Sequence, residues 1–200
     1  MSDQRRVVIL VLALAVPAVG VAQTVGVAVG EPLPLNASEP AAHDRWLLEL
    51  TGGFFLEAWD LNRSKEHLIG GAVSFSRRMT PNWTFGVETN LLYVNQEQVV
   101  DVFLPALSFM LRWSAFRVGA TSVFLEGGGG VSYASDEVPE NGTRFNLVSQ
   151  TGFGFARPLN SRFDFVGGLR WLHVSNNSLN GRHHNPDIQA LGLYIGCRVN

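Results

Sequence analysis

From residue 45 onward, apolar and polar residues alternate in eight successive segments, each keeping its apolar residues at positions of one parity. Successive side chains of a strand point to opposite faces, so each segment reads as a β-strand with one apolar and one polar face. The first sets Trp46, Leu48, Leu50, Phe54 and Leu56 against Glu49, Thr51 and Glu57, and the second sets Ile69, Val73 and Phe75 against Ser74 and Ser76. In the third, Trp83, Phe85, Val87, Leu91 and Tyr93 oppose Glu88 and Asn90; in the fourth, Phe103, Leu107, Phe109, Leu111 and Trp113 oppose Ser108 and Arg112. The glycine-rich fifth still sets Val123, Leu125, Val131 and Tyr133 against Ser122, Glu126 and Ser132, and the sixth sets Phe145, Leu147, Phe153 and Phe155 against Arg144, Asn146 and Gln150. The last two give Phe163, Phe165, Leu169 and Trp171 against Arg162, Asp164 and Arg170, then Leu191, Leu193, Ile195 and Val199 against Tyr194 and Arg198.

Alternation alone does not separate a membrane barrel from a soluble sandwich, whose apolar face is its core. Three further features favour the barrel: segments of about ten residues or more, aromatics near segment ends, and a leader suited to export. The connections also alternate in length. They are long at 58–65, 94–100, 134–142 and 176–187, and shorter at 78–81, 114–116 and 157–161. Long external loops and short periplasmic turns follow this rule, and an even strand count returns both ends to the periplasm. The expected fold is an eight-stranded antiparallel transmembrane β-barrel of the outer-membrane type over residues 45–200. Eight strands leave an interior largely filled by side chains, which excludes a wide aqueous pore.

The chain begins with Arg5 and Arg6, a short apolar run over 7–16, and small residues ending at Ala22. This is the pattern of a secretory signal peptide over 1–22. Residues 23–44 hold Pro32, Pro34 and Pro40 without a period and read as an irregular lead-in. Cys197 is the sole cysteine, so no intramolecular disulfide forms. The net charge is −2, and the 15 basic residues are arginine except for Lys65, with no basic block. Nucleic acid is thereby excluded as a partner.

Segment seven continues into Trp171-Leu172-His173-Val174-Ser175-Asn176, and its odd positions are the apolar, lipid-facing set. His173 and Ser175 therefore share that face, near enough for the imidazole to take the hydroxyl proton and activate Ser175 as a nucleophile. Polar groups on a lipid-facing row are costly unless paired, which itself suggests function. The spacing equally allows two polar residues in the headgroup zone at the rim. With both termini periplasmic, segment seven runs outward and delivers the pair to the outer leaflet.

His173-Val174-Ser175-Asn176, followed by Asn185-Pro186 and a final strand through Leu191-Gly192-Leu193-Tyr194, resembles the lipid A 3-O-deacylases, PagL-type outer-membrane acyl hydrolases. The specific resemblance covers about thirty residues. It implies an esterase that removes the 3-position acyl chain from lipid A of lipopolysaccharide, with Ser175 as nucleophile, His173 as base, and Asn176 and Asn185 as oxyanion donors. It implies no cofactor. The family places a Glu at the start of the last strand, where this chain has Gln189, with Asp187 two residues earlier on the same face. Either Asp187 completes a triad, or a His-Ser dyad works with Gln189 orienting the imidazole, or the enzyme is slow or inactive.

Arg182, His183 and His184 in the last loop are candidates for lipid A phosphates or are simply solvated. The spacing of His173, His183, His184 and Asp187 matches no common metal-ligand pattern. Gly127 to Gly130 opens no helix and reads as relief of crowding or a bend, not a phosphate cradle. Homodimerisation is left open. The alternative function is a non-catalytic barrel that binds or adheres through its external loops.

Overall fold

The computed structural model describes residues 45–58, 66–97, 99–179, 181 and 185–199. The expected signal peptide, the lead-in, and Arg182, His183 and His184 lie outside these residues. Eight antiparallel strands, β1 (Trp46–Glu57), β2 (His67–Arg78), β3 (Trp83–Asn95), β4 (Val102–Val118), β5 (Thr121–Val138), β6 (Thr143–Pro158), β7 (Phe163–Ser175) and β8 (Asp187–Val199), pair in chain order and close as β1 meets β8.

The apolar parity faces outward on every strand. Leu50, Leu193 and Ile195 are 62%, 66% and 62% exposed, and they belong to a continuous apolar band. In water such a band is an association surface; in a bilayer it is the solvated face. Aromatic pairs border it at both ends. Trp46 stacks on Phe75 with centroids 4.6 Å apart and Trp83 lies 6.3 Å from Trp113 at the short-turn end, while Tyr93 meets Phe103 at 5.4 Å at the other.

The lumen has two zones. Toward the short-turn end it holds an ionic network in which Arg170 donates to Glu126 Oε1 at 2.8 Å, Glu88 Oε1 at 2.8 Å and Gln150 Oε1 at 3.1 Å. Arg112 bonds Glu49 through both terminal nitrogens, at 2.8 and 3.0 Å, and reaches Glu126 Oε2 at 2.9 Å. Buried charges need such pairing. Toward the long-loop end the lumen is apolar, filled by a cluster that includes Leu68, Val94, Val102, Leu104, Leu172, Val174 and Ile188.

Two expected connections differ. Residues 114–116 do not turn: the register shifts between Ser114 and Phe116 as a bulge, and β4 runs on to a two-residue turn at Gly119 and Ala120. Gly119 has φ +58°, which glycine tolerates without strain. Likewise β5 continues through the exposed residues Ser135 to Glu137 and reaches Val138, leaving only 139–142 as the connection. On β4 the hairpin pairing extends past the apolar band to Val118 opposite Thr121, whereas on β5 the register against β6 shifts between Tyr133 and Val138 and pairing resumes at Val138 opposite Thr143. Gly128 and Gly130 relieve crowding: a Cβ would stand 2.1 Å from Phe109 O and 1.8 Å from Leu107 O, respectively.

Candidate active site

β7 starts from a turn in which Asn160 Oδ1 accepts from the backbone N–H groups of Arg162 and Phe163, at 2.8 and 2.9 Å. Its even residues point inward: Asp164 and Arg170 join lumen ion pairs, while Leu172 and Val174 sit in the apolar cluster at 2% and 0% exposure. That packing fixes the parity of the strand end, so Trp171, His173 and Ser175 line up on the outer face. The Trp171 and His173 rings stack at 5.7 Å with planes 13° apart.

His173 Nε2 lies 2.9 Å from Ser175 Oγ, a hydrogen bond along the strand. His173 Nδ1 faces Asp187 Oδ2 at 3.6 Å, too long for a hydrogen bond but close for a charge pair when the imidazole is protonated. In the β7–β8 register Gln189 stands opposite His173 and Asp187 opposite Ser175, so the acid approaches the ring diagonally. Gln189 Nε2 donates to the same Asp187 Oδ2 at 2.8 Å. Ser175 is buried, and the His173 and Asp187 side chains retain 27% and 19% exposure. The arrangement can move a proton from hydroxyl to imidazole beside a carboxylate.

The structure thus brings together His173, Ser175, Asp187 and Gln189. Asn176 is buried and organises the loop that follows: its Nδ2 donates to Thr143 Oγ1 at 3.1 Å and its Oδ1 accepts from Ser178 N at 2.9 Å. Asn185 Oδ1 is buried without a hydrogen-bond partner among the described residues. Thr143 and the stacking role of Trp171 escaped the sequence reading. The parity of Trp171, two residues before His173, was the signal available for the latter. Among the described residues no group of three His, Cys, Asp or Glu is placed to hold a metal ion.

A family model for lipid A 3-O-deacylase (PagL) matches residues 25–198, most of the chain. The chain belongs to the PagL family. No curated protein matches it in sequence. Among solved structures, Neisserial surface protein A is similar with a TM-score of 0.60 and 12% identity, over 77% of this chain and 96% of that one. OprG from Pseudomonas aeruginosa gives 0.50 and 11%, over 77% and 94%. At such identities these likenesses show the fold alone, an outer-membrane barrel. Membership of the PagL family and that fold support the bacterial outer membrane as location and an acyl hydrolase acting on lipid A as activity.

Proposed function

We propose that this barrel is a serine esterase that removes the ester-linked 3-position acyl chain of lipid A in the outer leaflet, after export through a cleaved signal peptide. The observation that carries the reading is the 2.9 Å His173 Nε2 to Ser175 Oγ contact on the outer face of the barrel. His173 Nε2 takes the hydroxyl proton as the Oγ–acyl carbon bond forms, and it then returns that proton to the departing sugar oxygen. A water molecule, deprotonated by the same imidazole, attacks the acyl-enzyme, releasing the fatty acid and restoring Ser175. Asp187 faces the imidazolium that forms in each half, and Gln189 holds Asp187 through its hydrogen bond. Asn185 remains the oxyanion candidate that the family resemblance implies, since the Asn176 amide is engaged with Thr143. His173 and Ser175 come from β7, and Asp187 and Gln189 from β8.

Mass spectrometry of lipid A from cells expressing the protein tests this. Loss of one 3-hydroxyacyl chain is expected, abolished by Ser175→Ala and by His173→Ala with the heat-modifiable barrel retained. Unchanged wild-type-expressing lipid A would count against the hydrolase. Silent substitutions alongside functional effects of loop exchange would favour a binding barrel instead.

A further inference from the structure

At the short-turn end the lumen opens into a cavity of about 240 Å³, remote from His173 and Ser175. Five arginines line this mouth; Arg112 is committed to Glu49 and Glu126, and strand parity, together with the β4 bulge that turns Arg117 inward, adds four more: Arg45, Arg78, Arg117 and Arg198. A single carboxylate, Asp164, lines it with them. Arg198 already takes Asp164, with Nε and Nη2 at 3.2 and 2.9 Å from the same oxygen, and both residues are more than nine-tenths buried. The carboxylates deeper in the lumen, Glu49 and Glu126, are bonded to Arg112 and Arg170. Arg45, Arg78 and Arg117 have no carboxylate partner among the described residues. Arg78, half-buried, feels the like charges of Arg198, Arg117 and Arg45 with only Asp164 opposing them.

Four guanidinium charges against one carboxylate leave an excess of three in a concave, partly desolvated space. Arginines converging this way repel one another unless an anion lies between them, and the planar guanidinium fork matches the oxygens of a phosphate group. Hydroxyl donors of Thr84, Ser114 and Ser122 line the same cavity, while Phe124 and Leu47 close its inner end. The shape is that of a dead-end pocket for a small ion rather than a conduit.

We infer that this mouth is a binding site for a multiply charged oxyanion of the phosphate class. Free phosphate and the phosphate headgroup of an anionic lipid share the chemistry that would be recognised. The inference is independent of the esterase reading. The test is calorimetric titration of the full-length protein in a phosphate-free detergent at about 0.1 M sodium chloride, where long-range surface attraction is screened. Inorganic phosphate and short-chain phosphatidylglycerol form separate arms, and sulfate serves as competitor. Saturable binding in at least one arm, competed by sulfate and weakened tenfold or more by Arg78→Gln and by Arg117→Gln, is expected; the tighter arm identifies the source. The control Arg157→Gln, on the outward parity of β6, should leave the affinity unchanged. No saturable binding in either arm overturns the inference, as does equal weakening by Arg157→Gln. Heat-modifiable migration of each variant shows that a lost signal is not a lost fold.

Discussion

Asp187→Asn separates a triad from a dyad. The substitution keeps shape and an oxygen for Gln189 but removes the charge 3.6 Å from His173 Nδ1. Two unit charges at that distance attract by about 4.6 kcal/mol at an effective dielectric constant of about 20, and by about 1.2 kcal/mol in bulk water. Both side chains are partly exposed, at 27% and 19%, so the lost stabilisation of the imidazolium falls between these limits. At about 1.4 kcal/mol per factor of ten, kcat should fall by roughly tenfold to a thousandfold, with KM nearly unchanged. The assay is release of fatty acid from purified lipid A in mixed micelles, with the variant's barrel checked by circular dichroism. Gln189→Glu supplies the opposite perturbation: it exchanges the donor that holds Asp187 for a second carboxylate beside it, and activity should drop. Asp187→Asn retaining more than half of wild-type activity while Gln189→Glu gains activity would refute the assignment of Asp187, and would return the role to the position opposite His173.

Four further outcomes follow from the barrel itself. Arg170→Met removes the only guanidinium on Glu88 among the described residues, and breaking a buried pair of this kind costs about 3–5 kcal/mol in urea unfolding; Arg170→Met with Glu88→Met should recover most of it. Gly130→Ala should prevent heat-modifiable folding because its Cβ meets Leu107 O, whereas Gly127→Ala, whose nearest contact would be 3.7 Å, should fold. Leu193→Arg, midway along β8 and facing outward, should cost about 2–4 kcal/mol in lipid vesicles, against at most about 1 kcal/mol for Val199→Arg near the strand end. Asn176→Ala removes the bonds to Thr143 and Ser178 and should loosen the β7–β8 loop, seen as faster amide exchange at Ser178 and Leu179.

The outward face was readable because hydrocarbon imposes one rule on every strand: Trp46, Leu107 and Leu193 obey the same parity although they share no local motif. The His173 and Ser175 pairing was readable for the same reason, since two residues on one face of one strand need no partner strand to meet. What failed were features that depend on the neighbouring strand. Leu92, Val94 and Val174 occupy the inward parity and were passed over because that parity was expected to be polar; in so narrow a lumen, side chains fill the space instead of water, and apolar residues serve there too. The turn expected at 114–116 is a bulge because the register between β4 and β5 shifts without stopping. The relation between Asp187 and Gln189 belongs to this class as well: which of them approaches the imidazole is set by the β7–β8 register and by the bond between the two side chains.

The apolar filling of the outer half of the lumen decides how the proposed reaction is supplied. Leu172 and Val174 back the strand that carries His173 and Ser175, so the interior of the barrel delivers nothing to the site. Substrate arrives by lateral diffusion, and the water that completes each turnover descends from the loop surface between packed lipid headgroups. The kinetics are then two-dimensional: the governing concentration is the mole fraction of lipid A in the leaflet. Diluting the substrate with inert amphiphile at constant bulk concentration should slow the enzyme in proportion.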